Sequence, residues 1–160
     1  MFTEPTDEHR WLMSMVGEWT FEHTCDAGVG EPPMKSFGRE AVRAIGDLWI
    51  QAQMTGQLPG GEGEMTAYMT LGYDVRVGRY VGNWIGSPMA HMFVYEGGRN
   101  DGGNTLTLDT TGPSFEDPNT LVRYQDVIEI KSPNERRMHS QAEDGAGGWK
   151  RFMSGVYTRV

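Results

Sequence analysis

The chain has 160 residues, the length of one domain and enough to bury a sizeable core. Twenty-two acidic residues against 14 basic ones give a net charge of −8. No basic run interrupts that excess, which argues against nucleic acid and anionic membranes as partners, because both need a positive surface. Cys25 is the single cysteine, so no intramolecular disulfide and no thiolate metal cluster is expected.

The opening MFTEPTDEHR is acidic and polar, unlike the charged-then-apolar run of a signal peptide. No apolar stretch approaches the length of a membrane span. A cytoplasmic protein is expected on that basis. The first element is a helix over residues 6–16: Pro5-Thr6 supplies a cap, and Asp7 and Glu8 place negative charge at the positive end of the helix dipole. Trp11, Leu12, Met15 and Val16 share one apolar face, and Gly17 stops the helix. A lone amphipathic helix must bury that face against something else.

From Gly17 onward the apolar period changes to two, cut by turn signals at short intervals. The predicted strands are 18–25, 37–45, 48–57, 64–73, 79–85, 91–96, 105–111, 121–130, 137–143 and 148–159. Nearly every connection between them is short, so consecutive strands should be spatial neighbours. The expected architecture is therefore all-β: one domain over 1–160, an antiparallel up-and-down barrel of about ten strands over 17–160, with the helix capping one end. A barrel of that size has interior room beyond the eight-stranded case, unless methionine and aromatic side chains fill it.

No catalytic or metal signature accompanies this pattern. His9, His23, His91 and His139 never fall at metal-ligand spacing, and both His9 and His23 read as surface or rim residues. The glycines at 60, 61 and 63 lie between two strands with glutamates nearby, which makes a hairpin loop rather than a phosphate cradle. Cys25, beside Asp26, reads as a buried structural thiol. Polar rows such as Gln51, Gln53 and Thr55, or Tyr68 and Thr70, read as the solvated outer face, although period two alone does not say which face points inward.

If the lumen is hollow, Tyr68, Trp84, His91, Phe93 and Tyr124 are the expected lining of one ligand pocket. They combine apolar bodies with hydroxyl, indole and imidazole groups, which suits a small apolar or amphipathic molecule with a polar end. His91 is the residue expected at that polar end. An enzyme using the same cavity is the alternative, with His91 as acid or base and Asp126, Tyr68 or Tyr124 assisting. A third reading is a filled barrel acting through its surface, for instance as a homodimer. No cofactor or metal is implied by any of the three.

Two resemblances extend this reading. A short helix running into Gly17-Glu18-Trp19 on the first strand resembles the calycin superfamily of lipocalins and fatty-acid-binding proteins. In that group the Trp closes one barrel end beneath a basic residue from the last strand, and Arg159 stands where that partner would be. Nearly the whole chain is similar to the bacterial family of unknown function DUF1579, through HRWLMSMVGEWTFE, IGDLWI, TLGYD, VGNWIGSPMAHMFVYEG and FMSGVYTR. That likeness implies the barrel and no established activity. The haem-binding nitrobindin branch resembles Gly-x-Trp-x-Gly-x-Gly here, whereas Thr20-Phe21-Glu22-His23 lacks those glycines, so haem is not expected.

Overall fold

Ten antiparallel strands and one helix make up the computed structural model, which describes residues 1–160. After α1 (Asp7–Met13) come β1 (Gly17–Cys25), β2 (Met34–Ile45), β3 (Trp49–Gln57), β4 (Glu64–Asp74) and β5 (Arg79–Gly86). The second half holds β6 (Phe93–Arg99), β7 (Thr105–Pro113), β8 (Leu121–Ser132), β9 (Glu135–Glu143) and β10 (Trp149–Arg159). Each strand pairs with its neighbours in sequence, and β10 closes on β1 with Trp19 opposite Arg159 and Cys25 opposite Met153. The meander is a closed barrel, which leaves no strand at a free sheet edge along its whole length.

Alternation sends one face of every strand inward. Trp19, Phe21 and His23 of β1, Ile50, Ala52 and Met54 of β3, and Leu106 and Leu108 of β7 are buried, while the residues between them face out. Leu12, Leu106 and Leu108 keep no exposed surface at all, each contributing roughly 1.5–3 kcal/mol of burial. The expected outer row Gln51, Gln53 and Thr55 does lie outside.

Several boundaries differ from the sequence reading, and the strand expected over 91–96 begins only at Phe93, which leaves His91 in the connection before it. The helix is shorter than 6–16: after Met13 the chain tightens through Met15 N–H to the Leu12 carbonyl (3.0 Å) and Val16 N–H to the Met13 carbonyl (3.1 Å). This early stop swings Met15 beneath Trp19, whose indole N–H donates to the Met15 carbonyl at 2.9 Å. Strand β2 begins at Met34, where pairing with Cys25 carries the ladder past the loop composition. Gly97 and Gly98 belong to β6 and not to the hairpin turn, because Gly97 lies flat against the Thr107 backbone where a Cβ has no room.

The helix packs across one end of the barrel against β3 and β4. His9 sits in that interface and is buried, contrary to the surface position expected. Its Nδ1 accepts the Thr6 N–H at 3.0 Å while its Nε2 donates to the Tyr73 carbonyl at 3.0 Å. The imidazole thus serves as both helix cap and anchor. Arg159 completes the closure. Its guanidinium stacks 4.3 Å from the Trp19 ring and donates to the carbonyls of Val16 (2.7 Å), Ser14 (2.9 Å) and Pro133 (2.9 Å). The pairing expected of Trp19 and Arg159 is present, with the helix C-terminus tied in as well.

The two ends are built differently. Turns at the helix end, 46–48, 75–78, 100–104 and 133–134, are short, whereas connections at the other end, 26–33, 58–63, 87–92, 114–120 and 144–148, are longer. That second end is the mouth.

Candidate functional site

An unbroken set of aromatic contacts spans the mouth. Trp84, near the end of β5, meets Phe93 of β6 edge to face at 5.8 Å between ring centroids. Phe93 meets His91 at 4.7 Å and Tyr124 of β8 at 6.1 Å. Tyr124 meets Phe152, at the β10 bulge, at 6.0 Å, and Phe115 from the 114–120 connection covers both at 5.9 and 5.0 Å. Glycines make this packing possible. A Cβ on Gly86 would strike the Trp84 indole, and one on Gly112 would strike the Phe93 ring. Phe115 of the 114–120 connection and Met89 and Met92 of the 87–92 connection are exposed, so apolar surface continues to the rim.

The barrel wall is weakest at the same place. The β6–β7 ladder holds four residue pairs, Glu96–Asp109 to Arg99–Leu106, where β7–β8 holds nine. The mouthward half of β7 therefore lacks a backbone partner on its β6 side. His91 supplies one, donating from Nε2 to the Thr111 carbonyl at 3.0 Å. An unpaired strand carbonyl needs such a donor.

Beneath the rings lies a polar layer. On β8, Asp126 sits two residues inward of Tyr124 on the same face, and on β6 Tyr95 sits two inward of Phe93. The Tyr95 hydroxyl donates to one Asp126 carboxyl oxygen and the Ser140 hydroxyl to the other. Burial raises the Asp126 carboxyl above the usual carboxylate range, against the lowering effect of those two hydroxyls. Tyr95 is pushed well above its ordinary value by the same burial and by Asp126 beside it. Thr110, directly across from Tyr124, is buried and its hydroxyl has no partner.

His23 belongs to this layer too, and not to the rim. Its ring is stacked on Phe21 at 4.3 Å, and its Nε2 pairs with the Tyr157 hydroxyl at 2.6 Å. Burial, with the Arg136 charge adding to it, brings His23 down to about 4, so the imidazole is neutral at pH 7. Cys25, one step further out, is half-buried and faces Met34 and Met153 across its two ladders; burial raises its thiol.

Deeper still is a buried ion pair between Glu40 of β2 and Arg136 of β9. Arg136 lies between the Trp19 and Tyr157 rings, 4.8 and 4.2 Å from their centroids. Burial lowers it to about 10, which leaves it charged at neutral pH. A void of about 20 Å³ beside the pair, lined by Val42, Ile50, Met69, Ile128 and Met138 among others, has room for one water. Side chains otherwise fill this depth. A larger depression of about 510 Å³, lined by Thr20, Glu22, Phe37, Arg39, Val156 and Thr158 among others, lies outside the wall on β10, β1 and β2, well away from these groups.

The fold therefore brings four of the five sequence-derived pocket residues together: Trp84, His91, Phe93 and Tyr124. Tyr68 does not join them. It pairs across β4 with Gln53 and Ile85 on the outer face, on the opposite side of the wall from Ala67 and Met69. No acid–base pair forms at His91, since Asp126 is engaged by Tyr95 and Ser140. Tyr95, which shares an aromatic face with Phe93, completes the layer together with residues the sequence did not single out, Thr110, Ser140 and Tyr157. Tyr95 was within reach of the alternation through Phe93, whereas Ser140 and Tyr157 enter only through strand pairing.

Residues 4–159 match the family described as "Protein of unknown function (DUF1579)". The chain belongs to that family. No curated protein matches it. Among solved structures, the DUF1579 chain is similar to Rv2717c from M. tuberculosis, with 11% identity, a TM-score of 0.66 and coverage of 98% of this chain and 99% of that one. It is similar to the S-type phycobiliprotein lyase CPES from Guillardia theta, with 14% identity, a TM-score of 0.62 and coverage of 98% and 97%. A redesigned β-barrel, mFAP1, bound to DFHBI, gives 17% identity, a TM-score of 0.51 and coverage of 94% and 99%. At these identities the likeness establishes the barrel fold and nothing about chemistry. No helix is long and apolar enough to cross a membrane.

Proposed function

We propose that this DUF1579 protein binds a small amphipathic molecule at the mouth of its barrel, with the apolar part among Trp84, Phe93 and Tyr124 and the polar end toward Asp126. The observation that carries this reading is the layering: aromatic rings at the rim directly above buried hydrogen-bonding groups that no packing role requires. A barrel evolved only to be filled would gain by replacing Asp126 and Thr110 with apolar side chains, since burying such groups costs free energy. His91 contacts the bound molecule at the rim, where its ring already packs on Phe93. The likeness to a redesigned barrel bound to DFHBI supports the reading, because that barrel of the same fold holds a small molecule. Binding here opens the site by displacing Phe115 and the adaptable methionines at the rim.

The test is native mass spectrometry of protein purified from its own host, followed by the same measurement on Trp84→Ala. A retained small molecule that is lost from Trp84→Ala is expected. Consistent absence of any retained mass, together with no change in the Trp84 indole resonance on screening aromatic amphiphiles, would remove the mouth as a binding site.

A further inference from the structure

One interior carboxyl, Asp126, has no ion-pair partner, while Arg99, whose Nε is buried without a partner, lies at the opposite end of the barrel over Trp11 and Tyr80. Glu40 and Arg136 neutralise one another, and His23 carries no charge at pH 7. Asp126 points into the barrel and is partly buried, and its partners are two neutral hydroxyls with no ion pair to any cation. A carboxylate taken out of water without a countercharge either gives up its charge or acquires a cation. Carboxylate oxygens have about four acceptor positions between them, so the Tyr95 and Ser140 donors leave capacity for a further partner. The unpartnered Thr110 hydroxyl, buried across from Tyr124, adds a second open acceptor on the same face.

What stands above Asp126 has the matching character. Tyr124 and Phe93 are each two residues nearer the mouth than Asp126 and Tyr95, a rise of roughly 7 Å along a strand. An aryl ring at that level, with its nitrogen one or two bonds deeper, leaves roughly 3–4 Å between nitrogen and carboxyl, within ion-pair reach. Faces of Trp, Tyr and Phe attract cations by their quadrupole, most strongly where water is excluded. Aromatic faces over an uncompensated carboxyl are complementary to positive charge on an apolar body. The acidic surface of the chain favours the same sign of ligand at long range.

From this geometry we infer that the ligand of the mouth is an organic cation, a protonated amine or quaternary ammonium, whose nitrogen sits over Asp126 and whose apolar body lies among Trp84, Phe93 and Tyr124. The inference rests on the mouth-binding reading above. A cationic head group is preferred to an anionic or neutral one at this position because only the cation supplies the countercharge that the two hydroxyls do not.

Two probes of the same shape separate charge from fit: phenyltrimethylammonium and tert-butylbenzene. Each is titrated into the full chain and into Asp126→Asn, reading the Trp84 indole N–H resonance (assigned with Trp84→Phe) and calorimetric heat. The cation is expected to bind the parent at least about tenfold more tightly than the neutral probe. In Asp126→Asn that preference falls to about twofold or less while tert-butylbenzene is held as before. The preference also persists in about 0.5 M sodium chloride, which screens the surface charge but not an enclosed pair. Equal or tighter binding of tert-butylbenzene by the parent overturns the inference and leaves mouth binding intact. So does a preference that survives in Asp126→Asn or vanishes with salt. If Asp126→Asn does not fold, the parent's ratio in high salt decides alone. Failure of both probes to move the Trp84 resonance overturns the mouth-binding reading and the inference with it.

Discussion

The two ends of this barrel solve opposite problems with the same residue types. At the helix end, a Trp, an Arg, a His and a Tyr are all tied to backbone carbonyls: Trp19 to Met15, Arg159 to Val16 and Ser14, His9 to Tyr73, and Tyr80 to Glu8. Short turns hold the strands there. At the mouth, Trp84 and Phe93 meet chiefly other rings, one strand ladder stops four pairs long, and a threonine hydroxyl is left unpartnered. Aromatic content does not distinguish the ends. What differs is what the rings rest on: at the helix end the helix itself, with Arg99 over Trp11 and Tyr80, and at the mouth chiefly one another, above Asp126 and an unpartnered Thr110 hydroxyl.

The largest effect that would break this contrast concerns Trp19. Trp19→Ala removes a buried ring where helix, first strand and last strand meet, and should cost about 3–5 kcal/mol by chemical denaturation. A midpoint equal to the parent's would show that the helix end is not the anchor. The next effect is on acid stability. The unfolded chain protonates His23 near 6.5, while the folded chain resists until about 4. Stability is therefore intact above the first value and falls, by on the order of 3 kcal/mol in total, as pH drops from one to the other. In His23→Gln that part of the acid limb should be missing. An unchanged limb in denaturation curves between pH 7 and 4 would mean His23 is not held neutral by the polar layer.

Arg159→Ala should cost about 1–3 kcal/mol, because the carbonyls of Val16, Ser14 and Pro133 lose their donor along with the cation over Trp19. Arg159→Lys should recover only part of the lost thermal stability, since an ammonium cannot span the three acceptors as a planar fork. At the small end, Phe115→Ala should change the melting temperature little, within about 0.5 kcal/mol, because the ring is largely exposed. The same change should weaken binding of aromatic amphiphiles by calorimetry. A stability loss comparable to that of Arg159→Ala would show the mouth to be as structural as the closed end.

Ligand class aside, the contrast also explains where the sequence was readable. Period-two alternation on every strand is a local property, so the all-β class and the ten strands could be read from one dimension, whereas the Trp19–Arg159 closure was legible only through the calycin resemblance. Which face of each strand points inward was not legible, because period two is the same for both faces. Tyr68 shows the limit. It lies on the solvated row with Thr70, yet its aromatic character suggested the lumen, and only the register with Gln53 and Ile85 places it outside. His9 and His23 show another: a polar residue near the end of an element looks peripheral until its long-range partners, Tyr73 and Tyr157, are known.

Sequence by itself determined the elements, their order and the meander, because propensity, periodicity and short connections act between near neighbours along the chain. Tertiary structure decided the charge balance of the interior. Asp126 is paired with hydroxyls from β6 and β9, while Arg136 is neutralised by Glu40 from β2, far away in the chain. The cost of a buried charge depends on what closes around it, and closing the barrel is the event that fixes those neighbours.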